Sequence, residues 1–170
     1  ISSNLERYDS LRYGSVAEGV QDLLDRYAKS RGEYFGPEVK RRNLIGTYAL
    51  SAGYYDAYYN RAMQVRTIIR NSYDEIFNQC DVVIMPTTVA PAFKQGAKND
   101  PLEMYKTDVL TVSANLAGVP AVSIPASLDV DTGLPLGLQI VAAQNNDGLI
   151  LQIATEFQAT TDWHTRRPSL

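Results

Sequence analysis

The stretch PAVSIPASLDVDTGLPLGLQIVAA, Pro120 to Ala143, contains two short apolar runs separated by a polar segment. Both runs contain valine and isoleucine, and short apolar runs of this kind favour β-strands. The segment between them, DVDTGLP, contains Gly133, and glycine readily adopts the positive φ that many tight turns require. The sequence therefore predicts two strands, PAVSIPA and LGLQIVAA, joined by a turn at Gly133.

One further strand is predicted upstream of this pair. The run DVVIMPTT, Asp81 to Thr88, is continuously apolar and ends at a proline, which predicts a strand buried on both faces. Three strands among many helices indicate an α/β protein, but they are too few for a complete doubly wound sheet. The chain also begins with Ile1 rather than Met, so we expect the tail of a larger α/β protein.

The remaining chain is predicted to be largely helical. Apolar spacing predicts helices over residues 17–30, 37–52, 54–78 and 146–158, and short helical pieces over 101–117. Pro37 suits the first position of its helix, and Gly118 suits the position just past the end of another.

Composition limits the classes of function. A net charge of −3 argues against a broad basic surface for nucleic acid, although it allows a local basic patch. One cysteine, Cys80, and one histidine, His164, offer no spacing typical of a metal site, so we expect no bound metal. The sequence contains no apolar run long enough to span a bilayer, and the single cysteine favours a reducing compartment. We therefore expect a cytoplasmic protein with no membrane partner.

The helix over 37–52 contains the first candidate site residue. It is apolar almost all round, so we expect it to be mostly buried. Arg42 falls on a face of small residues, and a buried guanidinium needs a carboxylate partner. That carboxylate could belong to the protein, as a structural ion pair, or to a ligand. The neighbouring Lys40 and Arg41 point elsewhere and are expected to be solvated.

The helix over 54–78 has a long aromatic and apolar face, which we expect to be core. Its members at helical spacing are Tyr55, Tyr58, Tyr59, Ala62, Val65, Arg66, Ile69, Tyr73, Ile76 and Phe77. Buried tyrosine hydroxyls need hydrogen-bond partners, and Arg66 is a further candidate for a structural pair.

Asp108, in the stretch MYKTDVLTV, is the second candidate site residue. It precedes an apolar run, so local rules predict an N-cap whose side chain accepts a backbone N–H. A carboxylate at a helix start that faces a cleft would instead suit an ammonium group. Arg42 and Asp108 together would then bind an α-amino acid, although spacing alone does not place them near each other.

The sequence offers no catalytic residues of its own. It contains no G-x-S-x-G, no glycine- and serine-rich loop and no P-loop, and no nucleophile can be paired with a base.

Long blocks of the sequence resemble a known family. They are SSNLERYDSLRYG, FGPEVKRRNLIGTYALSAGYYDAYYNRAMQVRTII, DVVIMPTT, DPLEMYKTDVLTVSANLAGVPAVSIP, GLPLGLQIV and TDWHTRRP. In this order they resemble the C-terminal part of the amidase signature family, and in particular its branch of glutaminase subunits from tRNA-dependent amidotransferases. The resemblance implies an α/β fold with a mixed β-sheet flanked by helices. Residues 1–170 would be the C-terminal portion of a single domain, with the N-terminal catalytic portion absent.

The resemblance also implies a function, which is glutamine hydrolysis for protein biosynthesis. A serine nucleophile, a bridging serine and a lysine, all outside this chain, would free ammonia from glutamine. The B subunit would use the ammonia, with ATP and Mg²⁺, to amidate Glu-tRNA(Gln) or Asp-tRNA(Asn). This chain would therefore contact tRNA only indirectly, through the B subunit. The B and C subunits are the implied partners, and this chain would bind no cofactor and be inactive alone. Arg42 and Asp108 match the family residues that hold the carboxylate and amine of glutamine.

Two other functions stay open at the level of sequence. In the first, the chain is a fragment of a general amidase signature hydrolase that acts on a simple amide. Asp108 distinguishes this alternative, because a substrate without an α-amine would not need a carboxylate there. The second is an autonomous, non-catalytic interaction domain. The segments GSVAEGV and AAQNNDG differ from the sequence usual in the family, but they lie away from both candidate residues along the chain.

Overall fold

The computed structural model describes residues 2–5, 7–8, 10–98 and 100–168. Its helices are α1 (Ser2–Leu5), α2 (Leu23–Tyr34), α3 (Pro37–Leu50), α4 (Arg61–Phe77), α5 (Pro101–Lys106), α6 (Val109–Ala117) and α7 (Asp147–Thr160). Its strands are β1 (Val82–Pro86), β2 (Ala121–Leu128) and β3 (Pro135–Ala142). A π-helical segment spans Tyr55–Asn60, and a 3₁₀ turn spans Trp163–Thr165. Among the described residues, no helix is long and apolar enough to cross a membrane.

The chain divides into two compact units, an N-terminal unit of residues 1–63 and a C-terminal unit of residues 64–170. In the N-terminal unit, α1 and the π-helical segment both contact α3. Helix α2 begins later than predicted because the Asp22 side chain caps it, accepting the Asp25 N–H at 2.8 Å. It also continues past the predicted end at Ser30, since Gly32 does not break it.

The sheet of the C-terminal unit confirms the predicted strands and turn. Its order is β1-β3-β2, and both pairings are antiparallel. Gly133 adopts a φ of 70° in the turn, where the Asp129 side chain accepts the Thr132 N–H at 2.9 Å. The central strand β3 contains Ile140, Val141 and Ala142, which are at most 1% exposed. Helices and sheet together make an α/β fold, as predicted, but the described strands pair only antiparallel, whereas the resemblance implied a mixed sheet.

Helices cover β3 on both faces. Ile140 and Ala142 pack with Ile150 and Ala154 of α7, whereas Val141 packs with Tyr73 of α4 and two alanines of α6. Residues on the first face are 138, 140 and 142, and those on the second are 137, 139 and 141, because side chains alternate along a strand. Helix α6 ends as predicted at Gly118, whose φ is 75°.

Strand β1 is less buried than its sequence predicts. Ile84, which pairs with Ile140, is 55% exposed. The reason is position, because β1 pairs only with β3 among the described strands and lies at an edge of the sheet. A continuously apolar run predicts a strand with other elements packed on both faces, and the Ile84 side chain is exposed to solvent instead.

Two predictions about helical burial need correction. Helix α3 has no buried residue, and its Leu44 is 72% exposed, although the apolar pattern predicted burial. The aromatic face of residues 54–78 is core only at its C-terminal end, where Tyr73 is buried and bonds Ser113 Oγ at 2.9 Å. Tyr55 and Tyr59 stack on each other at 4.9 Å on the surface.

Candidate substrate-binding site

Arg42 lies on the second turn of α3 and pairs with a carboxylate of its own helix. Its Nε donates to Glu38 Oε1 at 2.8 Å, and its side chain is 46% exposed. The prediction that Arg42 turns into a packed face is therefore wrong, because α3 leaves that face exposed. Of the two partners that the sequence allowed, the structure shows the protein carboxylate. An exposed pair of this kind contributes at most about 1 kcal/mol to folding stability.

Two further cationic residues, Lys40 and Arg41, directly precede Arg42 in α3. Arg41 Nη1 donates to the other carboxylate oxygen, Glu38 Oε2, at 2.5 Å. Lys40, expected to be solvated, is exposed but donates from Nζ to the Gly32 carbonyl at 2.7 Å. Arg41 and Arg42 thus share one carboxylate, whereas Lys40 contacts a backbone carbonyl.

Asp108 occupies the N-cap position of α6 without capping it through its side chain. Its backbone carbonyl accepts the N–H groups of Thr111 and Val112, both at 3.0 Å. No side-chain cap hydrogen bond is present, but Thr107 Oγ1 donates to Asp108 Oδ1 at 3.4 Å. The N-cap position was predicted correctly, but the side-chain hydrogen bond was not.

Backbone geometry explains why Asp108 does not cap α6. Two other aspartates, Asp22 and Asp100, have extended backbones with ψ of −176° and 124°, and their side chains do accept backbone N–H groups. Asp108 has φ −95° and ψ 3°, because it follows directly from α5. This conformation turns the carboxylate away from the first N–H groups of α6, since capping normally requires an extended backbone. The exposed carboxylate is therefore not used by the fold as a cap.

Two cavities lie beside α6. An open groove of about 840 Å³ is mainly apolar and is lined by Ile69, Val89, Asp100, Leu102, Glu103, Tyr105, Lys106, Val109, Val112, Ser113 and Leu116. Lys106 donates to Glu103 at its rim, which lowers the pKa of that carboxyl and raises the pKa of the lysine. A smaller cavity of about 370 Å³ between α6 and the sheet is lined in part by Thr87, Thr111, Asn115, Ser123 and Gln139.

Three polar features near the candidate residues were not predicted. Glu38 lies four residues before Arg42, and that helical spacing was a usable signal. Gln139 interrupts an apolar strand, where only its burial to 4% exposure reveals that it must have a partner. The hydroxyls of Thr87 and Ser123 bond each other at 2.6 Å across Gly137, which no sequence pattern indicates.

The described residues contain no group of three histidine, cysteine, aspartate or glutamate side chains that could hold a metal ion. Arg42 belongs to the N-terminal unit and Asp108 to the C-terminal unit, so each is described within its own unit.

The chain belongs to the amidase family, whose family model, described as Amidase, matches residues 1–151. Among curated relatives, the A subunit of glutamyl-tRNA(Gln) amidotransferase from Halalkalibacterium halodurans is 52% identical over 99% of this chain and 35% of the relative. The protein of the same name from Bacillus cytotoxicus is 50% identical with the same coverage. The chain thus spans about a third of the length of these relatives.

Solved structures show the same fold. The crystal structure of the glutamyl-tRNA(Gln) amidotransferase A subunit from Thermotoga maritima has a TM-score of 0.56 and 42% identity, covering 77% of this chain and 28% of that one. An inhibitor-bound structure, from a vestigial complex related to the origin of an s-triazine catabolic enzyme, has a TM-score of 0.66 and 25% identity. It covers 82% of this chain and 31% of that one.

Proposed function

We propose that this chain is the C-terminal part of the glutamine-hydrolysing subunit of a tRNA-dependent amidotransferase. The observation that supports this most strongly is the 52% identity to such a subunit over 99% of the chain. The complete subunit would release ammonia from glutamine for the transamidation of Glu-tRNA(Gln) or Asp-tRNA(Asn). This chain would supply residues that bind glutamine, and the serine nucleophile, bridging serine and lysine would lie elsewhere in the subunit.

Arg42 binds the carboxylate of glutamine in this proposal. A guanidinium carries five N–H donors in a planar fork whose geometry matches a carboxylate, so Arg42 suits the carboxylate of glutamine. Glu38 holds the guanidinium in one orientation before the substrate arrives, which reduces the entropy lost on binding.

Asp108 binds the ammonium group of glutamine. Its carboxylate is exposed and makes no side-chain cap hydrogen bond, so the fold leaves it available to a cationic ligand. A substrate without an α-amine would gain nothing from a carboxylate at this position. The residue therefore favours an amino-acid substrate over a simple amide.

The remaining partners follow from the same proposal. The B and C subunits would complete the complex, and ATP and Mg²⁺ would be used by the B subunit rather than by this chain. Transfer RNA would bind through the B subunit, since the net charge of this chain is −3. The complex would act in the cytoplasm.

A chimera tests the proposal. Residues 1–170 replace the matching segment of the Halalkalibacterium halodurans glutaminase subunit, and glutamine hydrolysis is measured in the assembled complex. We expect Arg42→Ala and Asp108→Ala each to raise KM for glutamine by roughly 10- to 100-fold, because each removes a charged hydrogen bond of about 1.5–3 kcal/mol. The change in kcat should be smaller, because these groups bind parts of the substrate that do not react.

Matched controls separate specific binding from general loss of charge. Arg41→Ala removes a cation that shares Glu38 with Arg42 and is 44% exposed, and Asp131→Ala removes an exposed aspartate in the β2–β3 turn. Both should leave KM within about twofold. If Arg41→Ala matches Arg42→Ala, or if glutamine kinetics survive both site substitutions, the proposed roles are wrong. The isolated chain should show no glutamine hydrolysis.

A further inference from the structure

Gln139 is a polar residue at a buried position of the sheet, where an apolar side chain is usual. It lies at the middle of β3, its strand neighbours Leu138, Ile140 and Val141 are apolar, and it is only 4% exposed. Among the buried polar residues of the described chain, it alone lies in the C-terminal unit. A buried amide without a partner would cost about 1–3 kcal/mol, so its hydrogen bonds must compensate for burial.

The partner of Gln139 is the first turn of α6. Its Nε2 donates to the carbonyl of Leu110 at 2.9 Å, across 29 residues of sequence. In an α-helix this carbonyl also accepts the N–H four residues later, and a carbonyl has two lone pairs for two such donors. The bond from Gln139 is therefore additional to the helix, and it ties the start of α6 to the centre of the sheet.

Leu110 lies two residues after Asp108. The same turn is closed by the Asp108 carbonyl, which accepts the Thr111 and Val112 N–H groups. The Asp108 carboxylate makes no capping bond that would fix its own place. Apart from a long bond from the adjacent Thr107, its position follows that of the first turn of α6, which Gln139 bonds to the sheet.

We propose that Gln139 is a positioning residue for Asp108, acting through the Leu110 carbonyl to hold the carboxylate where the ammonium group of an α-amino acid binds. This inference rests on the substrate role of Asp108 proposed above. Gln139 itself does not touch the substrate. It determines how deeply the start of α6 sits against the sheet, and so where the carboxylate stands.

Amide hydrogen exchange on the 170-residue chain tests the positioning directly. Gln139→Leu removes the donor at similar size and should speed exchange at the Thr111 and Val112 amides about fivefold, the effect of one lost hydrogen bond. The Gly118 amide, at the other end of α6, should be unchanged. Gln152→Leu makes the same chemical change at an exposed site on α7 and should alter neither. Unchanged exchange at Thr111 and Val112 in Gln139→Leu overturns the proposal.

Kinetics of the chimera test the link to substrate. Gln139→Leu should raise KM for glutamine about fivefold and leave kcat within about twofold. In an Asp108→Ala background it should not raise KM further, because both substitutions act through the Asp108 carboxylate. Gln139→Asn, a smaller change, should give the same pattern if Gln139→Leu fails to fold. Equal KM effects in both backgrounds overturn the positioning role. If Asp108→Ala leaves KM unchanged, the substrate role of Asp108 fails, and hydrogen exchange then decides the positioning alone.

Discussion

Gly137 of β3 is the position where a single added methyl group should be felt most clearly. A Cβ there would lie 2.7 Å from Thr87 Oγ1, 3.0 Å from Ser123 Oγ and 3.1 Å from Thr87 Cβ. Thr87 cannot move away freely, because its branched side chain is stiff at χ1 and its hydroxyl bonds Ser123 at 2.6 Å. The clash therefore cannot be relieved without disturbing that bond.

The cost of Gly137→Ala follows from these contacts. Losing the Thr87–Ser123 hydrogen bond costs about 0.5–1.5 kcal/mol, and moving Thr87 off its rotamer costs about 0.5–1.5 kcal/mol. The sum is about 1–3 kcal/mol, the usual range for overpacking a core. At an m-value of about 2 kcal/mol/M, a loss of about 2 kcal/mol lowers the urea midpoint by about 1 M.

Trp163 provides the assay. It is the single tryptophan of the sequence, and its 3₁₀ turn contacts β2 in the same unit as Gly137. Urea unfolding followed by its fluorescence therefore reports on the C-terminal unit. Gly148→Ala is the matched control, because an added Cβ meets nothing within 4 Å on α7. It should stabilise the unit by up to about 1 kcal/mol, since alanine favours a helix over glycine.

A second substitution shows whether the clash is the cause. Thr87→Ala removes the hydroxyl oxygen nearest to the added methyl group. In the Gly137→Ala background it should cost much less than it does alone, giving a coupling of at least about 0.5 kcal/mol. Full additivity, or a Gly137→Ala variant as stable as the unchanged chain, would refute the reasoning from these distances.

Two further predictions concern other elements of the C-terminal unit. Gly118→Ala should destabilise it by about 1–2 kcal/mol in the same urea assay, because φ is 75° there, and an added Cβ would meet no atom within 4 Å that could change this cost. A Gly118→Ala variant at least as stable as the unchanged chain would contradict this. The second concerns acid pH. Arg166 donates to Asp162 and lowers the pKa of that carboxyl, and its guanidinium lies 3.8 Å from the Trp163 ring centroid. A depressed pKa means that this pair contributes stability above the unfolded pKa of about 3.9 and loses it as pH falls through the lower folded value. Trp163 fluorescence should therefore change below about pH 4, and Asp162→Asn but not Asp131→Asn should remove the change.

The sequence was informative where a local pattern determines the structure. The two short apolar runs around a Gly-containing turn predicted β2, β3 and the positive φ of Gly133, because strand propensity and turn geometry are local properties. It was less informative about burial. The apolar residues of α3 require cover, but a pattern does not state which part of a protein provides it, and Leu44 is exposed in this chain.

The candidate residues show the same limit. Arg42 was identified as a cation in need of a carboxylate, yet its partner Glu38 follows from helical spacing, and the two were not connected. The missing cap at Asp108 depends on a ψ of 3° that the preceding helix imposes. The bond from Gln139 to Leu110 joins residues far apart in the chain, so only the folded structure brings it to light.

Strand β1 ends at Pro86, and this proline limits where a further strand could pair with the exposed edge of β1. The Thr87 N–H points toward β3, where it bonds the Gly137 carbonyl at 3.0 Å, so the nitrogen of Pro86 points outward, since successive amides alternate along a strand. Proline has no N–H, and the outer rim of β1 therefore lacks a donor at this end. A further strand could pair with Val82–Met85, but its backbone hydrogen bonds to β1 would stop at Pro86. Pairing of a further strand with β1 would thus end before the Thr87–Ser123 hydrogen bond.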